Sequence, residues 1–275
     1  MRGLGLRGGG GYGLGMARIG AVLIDIDGVL TVSWRPLPGA VAALHRLRAA
    51  GVPLALVTNT TSRTRAWIAG TLAAAGFPVT ADDILTAPVI AAAYLRDRHP
   101  GARCLLLNSG DIAEDLAGLT LARPGDPALA DVVLAGGAGP EFSYQALNQA
   151  FSHLQRGARL VAMHRGLYWR TSEGLQLDTG AFLAGLEQAA GLEAEVVGKP
   201  AAAFFAAALA HLGADAVMVG NDIETDVLAA QRQGLAGVLV KTGKDLARTH
   251  HAASGTPDHI LDSFADLPAL LGQLS

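Results

Sequence analysis

The sequence is poor in cysteine and in charge, and it lacks any apolar run long enough to span a bilayer. Among 275 residues there is one cysteine, Cys104. A lone thiol excludes an intrachain disulfide framework and fits a reducing, cytoplasmic setting. It lies within "RCLLLNS", which reads as a strand, so it is expected as a small buried hydrophobe rather than a nucleophile. Charged residues make up 16% of the chain and the net charge is −3. Without a basic stripe no nucleic-acid partner is expected. No apolar stretch approaches the roughly 18–20 residues of a membrane span. The longest candidate, "AAAFFAAALAHLG" from Ala201, follows Pro200 and reads as a buried helix, so no membrane partner is expected either. What is abundant is apolar: 51% of residues. That excludes a disordered chain and leaves enough sequence for one large core or two modest ones.

Two patterns mimic motifs without their context. Gly8, Gly10 and Gly13 satisfy G-x-G-x-x-G, but no strand precedes them and a strand follows, the reverse of a dinucleotide fingerprint. Residues 1–15 are read instead as a flexible Gly-rich tail, with Met16 opening the folded part and no secretion signal. "KTG" at Lys241–Gly243 has no S-x-x-K partner.

Short β-rich runs alternate with Ala/Leu-rich helical stretches along the rest. The expected strands are "AVLIDID", "VPLALVTN", "ARCLLLN", "DVVLAGG", "RLVAMH", "AEVVG", "AVMVGN", "GVLVKTG" and "HILDS". Most are continuously apolar, which suits strands covered on both faces. Helices such as "GAVAALHRLRAAG" and "RAWIAGTLAAAG" end in glycine between them. The βαβ rhythm predicts an α/β fold with a doubly wound parallel sheet. Ligands bind such sheets beyond the carboxyl ends of their strands. The polar residues ending the apolar runs are Asp25 and Asp27, then Thr58, Asn59, Thr60 and Thr61, then Lys199, then Asn221, Asp222 and Asp226. "AVLIDIDGVLT" alone is ambiguous, since Asp and Gly are ordinary turn residues. Acids, hydroxyls, amides and a lysine meeting on one rim are far more specific.

These segments, "DIDG", "TNTT", "GKP" and "GNDIETD", in this order, resemble the haloacid dehalogenase superfamily of phosphotransferases, subclass IIA, over nearly the whole chain from Met16. The resemblance implies a Rossmann-like core from residues 16–85 and 193–275, with an inserted α/β cap over 86–192. It implies a Mg²⁺-dependent phosphatase acting on a small phosphorylated substrate: a phosphomonoester, a phosphoamino acid or pyrophosphate. Asp25 would be the nucleophile, forming an aspartyl-phosphate. Asp27 would be the general acid and base, offering the metal its backbone carbonyl. Thr58, Asn59 and Lys199 would hold phosphoryl oxygens, with Lys199 also stabilising ionised Asp25.

One position departs from the pattern. The fourth motif of this subclass usually begins Gly-Asp, with that acid on the metal; here the position is Asn221, followed by Asp222. Asn221 ligating a weakly held ion, Asp222 substituting for it, and a phosphate-binding regulatory pseudoenzyme are all open at this point. Asp226 either supports Lys199 or is a helix-surface acid. In the insert, "AMHRGLYW" offers His164 and Arg165 to an anionic leaving group, with Tyr168 and Trp169 either walling the substrate or starting a hairpin strand. Arg63 and Arg65 either steer anions or solvate a helix start. A receiver-type phosphoacceptor is set aside because receivers are about half this length and lack such an insert, and a mutase stays open because aspartyl-phosphate can pass to a second hydroxyl. Relatives with this cap often pair through it, so a homodimer is expected.

Overall fold

The computed structural model describes residues 20–122, 128–171, 174–242 and 253–274. The expected tail at 1–15 and Gly243 lie outside them. Fifteen strands fall in four sheets among the described residues. They are β1 (Ala21–Asp25), β2 (Thr31–Val32), β3 (Arg35–Pro36), β4 (Leu54–Thr58), β5 (Ile84–Thr86), β6 (Arg103–Leu107), β7 (Thr120–Leu121), β8 (Val132–Ala135), β9 (Arg159–Ala162), β10 (Tyr168–Thr171), β11 (Gly174–Leu177), β12 (Glu195–Val196), β13 (Ala216–Gly220), β14 (Ala236–Val240) and β15 (His259–Leu261).

The larger sheet has the order β15-β14-β13-β1-β4-β5 and is parallel throughout. Its central strands β1, β4, β13 and β14 are apolar up to their last residue because both faces are covered. Val22, Ile24, Leu56, Val217 and Val219 face one core. Helices α1 (Ala40–Ala49) and α2 (Arg65–Ala74) close it with Leu44, Leu47, Ile68 and Leu72. Ala21, Leu23, Ala55, Val57 and Met218 face the opposite core. The long apolar helix read from Ala201 lies there: it runs Ala202–Leu212 and buries Phe204, Phe205 and Ala208. The doubly wound sheet is thus as the sequence predicts. Among the described residues no helix is long and apolar enough to cross a membrane.

The second sheet, β12-β9-β8-β6-β7, is also parallel. α3 (Ala87–Arg98) covers one face, and α4 (Tyr144–Gln155) with α5 (Thr179–Ala190) the other. Cys104 is fully buried here and its thiol is pushed up to about 11, by burial first and then by Asp131, so it is chemically quiet. The strand expected at "AEVVG" is only Glu195–Val196, at the edge of this sheet. Tyr168 and Trp169 do begin a hairpin strand, β10, pairing antiparallel with β11. Strands β2, β3, β5 and β7 are too short to have shown in the apolar pattern.

The ring of Phe204 has no exposure and meets Phe205 edge-on at 5.8 Å. Phe204→Ala should therefore cost about 3–5 kcal/mol of folding stability. Urea unfolding checks this; an unchanged midpoint would show that this helix does not seal the sheet.

Candidate active site

Strand β1 is flanked by β4 on one side and β13 on the other, so the chain order reverses around it. That is the switch point where open α/β sheets bind ligands. Asp25 is the last residue of β1 and Thr58 the last of β4, and Asn221 follows the end of β13. Lys199 reaches the same point from the loop after β12. Its Nζ donates to Asp25 Oδ1 at 2.5 Å and to Asp226 Oδ1 at 2.7 Å. All three residues are buried, exposing 4, 7 and 2% for Lys199, Asp25 and Asp226. Asp226 is therefore a partner of Lys199, not a surface acid.

The local sequence builds this triad. Residues Ile223–Leu228 form a π-helical turn, a form that tends to mark functional sites. Asp222 Oδ1 caps it by accepting from the Glu224 and Thr225 N–H groups at 3.1 and 3.0 Å. Asp226 Oδ2 accepts from the Asp222 N–H at 3.2 Å. A Cβ on Gly220 would lie 2.3 Å from that of Asp226, so only glycine admits this carboxylate beside the strand end. Asn59 grips the backbone of Lys199 in both directions: Nδ2 donates to its carbonyl and Oδ1 accepts its N–H, each at 2.9 Å.

One ammonium cannot neutralise two buried carboxylates. Burial pushes Asp25 up to about 7, against the attraction of Lys199 and with further repulsion from Asp226 and Asp27. Burial penalises the Lys199 charge too, but two facing acids outweigh it and hold the ammonium protonated above its ordinary range.

The other expected residues divide. Asp27 is exposed and bridges to Thr31 across the turn of Gly28. Thr58 Oγ1 accepts the Thr60 N–H at 3.1 Å and lies 2.9 Å from the Thr60 hydroxyl. Asn221 Nδ2 donates to the Thr242 carbonyl at 3.3 Å. Its amide packs on Gly28, at φ +84°, where a Cβ would lie 2.0 Å from Nδ2. Arg165 is not brought to this cluster by any bond of its guanidinium: it forms a two-pronged pair with Glu187 of α5, at 2.5 and 3.0 Å. His164 is buried, and burial lowers its pKa despite Asp178, so it is a neutral ring accepting the Gly166 N–H. Arg63 stacks over Trp67 at 5.1 Å, and Arg65 pairs with Asp115 and Asp82 at the start of α2. Sequence reasoning missed Asn108 and Asp115. The first ends the "RCLLLN" strand, and the same end-of-strand rule would have found it.

Among the described residues no three His, Cys, Asp or Glu side chains gather as a metal cluster. The donors available are hard oxygens: the Asp25 carboxylate, Asp27 and the Asn221 amide. With a surplus negative charge, that set fits Mg²⁺, which typically takes one or two carboxylates and keeps waters. Asp222 has one oxygen committed to its cap.

Known proteins resemble this chain over most of its length. Residues 22–122 match the family model described as haloacid dehalogenase-like hydrolase, and residues 196–267 a HAD-hydrolase-like model. The chain is 37% identical over 247 residues to human haloacid dehalogenase-like hydrolase domain-containing protein 2, covering 89% of this chain and 92% of that one. It is 34% identical over 271 residues to human phospholysine phosphohistidine inorganic pyrophosphate phosphatase, covering 95% and 97%. Among solved structures it resembles the glycerol phosphate phosphatase Rv1692 of Mycobacterium tuberculosis, in complex with magnesium. The TM-score is 0.82 at 30% identity, over 92% of this chain and 77% of that one.

The folded value of Asp25 lies above its ordinary 3.8. Its contribution to stability is therefore fully present below pH 3.8 and is lost as pH rises through about 7. Asp226→Asn removes one of the charges that raise it. The Asp25 midpoint should fall below about 7 in carboxyl-carbon NMR titrations of metal-free protein; an unchanged or higher midpoint contradicts this account.

Proposed function

Because the chain belongs to the haloacid dehalogenase-like hydrolases and is a phosphatase, we propose that it hydrolyses a small phosphorylated compound with Mg²⁺, through an aspartyl-phosphate on Asp25. The observation that carries this reading is the buried Asp25 carboxylate held 2.5 Å from Lys199 Nζ at the end of the central strand. Lys199 fixes one carboxylate oxygen, and the other side of the group is left to attack phosphorus in line. An O–P bond forms to Asp25 as the bond to the leaving oxygen breaks, and Asp27 gives that oxygen its proton. Asp27 then takes a proton from the water that attacks the phosphoryl group, releasing inorganic phosphate and the Asp25 carboxylate. Exposure of Asp27 beside buried Asp25 suits a group that must exchange protons with solvent. The Thr58 hydroxyl and the backbone at Asn59 would hold phosphoryl oxygens. Asp25, the backbone carbonyl of Asp27, and Asn221 would hold Mg²⁺, with Asp222 in support. The ion supplies positive charge for the phosphoryl oxygens and favours ionised Asp25.

The names of the relatives support phosphomonoesters, phosphoamino acids and pyrophosphate as substrate classes. We assign the second sheet with α3 to α5, whose edge strand β12 ends at Val196 and so runs past the expected boundary at 192, as the cap that excludes water and large phosphoproteins. The exposed Leu167, Tyr168, Leu175 and Leu177 of its hairpin support pairing of two copies through it. The single cysteine, which leaves no intrachain disulfide, supports a cytoplasmic setting.

Phosphate release from p-nitrophenyl phosphate and pyrophosphate, measured across a Mg²⁺ titration with Asp25→Asn as control, tests the reading. Mg²⁺-dependent turnover lost in the variant is expected. No turnover in either protein overturns it in favour of a phosphate-binding pseudoenzyme, the reading that the neutral Asn221 supports. Asn221→Asp adds a carboxylate, so half-saturating Mg²⁺ should fall about tenfold, equivalent to roughly 1.4 kcal/mol. Equal half-saturation in both proteins would sink that expectation.

A further inference from the structure

We propose that Asn108 is a positioning residue for the phosphoryl-binding loop, tying residues 58–61 to the cap; this rests on the phosphatase reading above. The second sheet has its own switch point. From β6 the chain goes to β7 on one side and to β8 on the other, so a crevice lies outside the carboxyl ends of β6 and β8. Asn108 and Gly136 are the residues that follow those ends. The crevice holds a loop of this same chain, Thr61–Ser62, which continues from Thr58.

The contact is close and specific. Asn108 Nδ2 donates to the Thr61 carbonyl at 3.0 Å, while Oδ1 accepts the Gly137 N–H at 2.9 Å. A Cβ on Gly137 would lie 2.4 Å from Thr61 Oγ1. Gly110, at φ +94°, comes so near that a Cβ there would lie 2.5 Å from the Ser62 carbonyl oxygen. The two loops thus meet backbone to backbone, and Thr61 is 5% exposed. The same loop is fixed at both flanks. Asn59 holds the Lys199 backbone, and Asp115 Oδ2 accepts the Arg65 N–H at 2.9 Å and the Thr86 hydroxyl at 3.1 Å. Between these flanks Asn108 anchors Thr61, three residues from Thr58. Loss of its donor frees the loop that must present Thr58 and the Asn59 backbone to the phosphoryl oxygens.

A plainer role competes, because Asn108 Nδ2 also lies 3.0 and 3.1 Å from the carbonyls of Ser109 and Gly110. It would then only staple its own turn. Two variants separate the roles. Asn108→Asp keeps the shape and the acceptor for Gly137 but removes the donor; Gly110→Ala presses on Ser62 from the other side. For each, KM and kcat with p-nitrophenyl phosphate, the inhibition constant of inorganic phosphate, and the melting temperature are measured. Phosphate inhibition and KM should each weaken about tenfold, the scale of one lost hydrogen bond to a positioned group. Folded variants with unchanged phosphate inhibition overturn the proposal, leaving Asn108 as a staple. Should neither variant fold, hydrogen exchange on the unaltered protein decides, since coupling is reciprocal. Inorganic phosphate should slow exchange of the Gly137 N–H, and no change overturns the proposal. An unaltered protein that neither turns over p-nitrophenyl phosphate nor binds phosphate sinks the phosphatase reading itself, and the positioning role with it.

Discussion

One buried ammonium serving two buried carboxylates is the constraint around which this structure is arranged. Lys199, Asp25 and Asp226 arrive from separate parts of the chain, 174 and 27 residues apart in their pairings. Removing three ions from water is expensive, and buried ion clusters seldom add net stability over well-packed apolar groups. The site is therefore held by the rest of the fold. Strands β1, β4 and β13 are buried at every position, and α6 (Ala202–Leu212) begins just after Lys199 with two fully buried phenylalanines. Asn59 fixes the lysine backbone and Gly220 clears space for Asp226. The local geometry is over-determined, as a costly buried ion cluster requires.

Much of this was legible in the sequence because strand ends in a two-faced sheet are conspicuous. A run such as "AVLID" or "LALVT" is apolar up to the residue that leaves the sheet, so the first polar group marks the rim. Asp25, Thr58, Lys199 and Asn221 were found this way, and the structure brings their segments to the rim of one sheet. Asp226 was ambiguous because its role depends on a π-helical turn, which shifts the side-chain phase from that of an α-helix. Arg165 was legible only as a loop cation. Its partner, Glu187, lies 22 residues on, and nothing in the loop itself shows that a helix will present an acid there. Asn108 carries the same end-of-strand signal as Thr58, but in the second sheet, apart from the clustered acids.

Asn221 illustrates how charge and shape are traded at the rim. Its amide has two faces of opposite sense: Nδ2 donates to the Thr242 carbonyl, and Oδ1 is left as a neutral acceptor. An acid at this position would set a carboxylate against that carbonyl and add repulsion to an Asp25 already raised by burial first and then by Asp226 and Asp27. The amide therefore lowers the electrostatic cost of the metal-free protein. Gly28 is the necessary counterpart, since its left-handed backbone and missing Cβ give the amide its seat.

The two sheets use one physical rule twice. Each is parallel, each has a switch point, and in each the crevice lies where strand ends expose unpaired backbone groups. In the larger sheet that crevice holds charge. In the smaller it is satisfied by Asn108 and by Thr61 of the other sheet's loop. Because Thr58 and Thr61 lie on one short segment, the Thr58 hydroxyl, proposed to hold phosphoryl oxygens, cannot move freely of the contact with the second sheet. Loops are usually the least constrained parts of a domain. This one is bonded at Asn59, Thr61 and Arg65 to three partners far off in the chain, Lys199, Asn108 and Asp115, while Thr58 braces Thr60 within the loop, so its rigidity comes largely from tertiary contacts. Such a loop presents its donors in fixed positions, which is what stabilising spread-out phosphoryl charge demands.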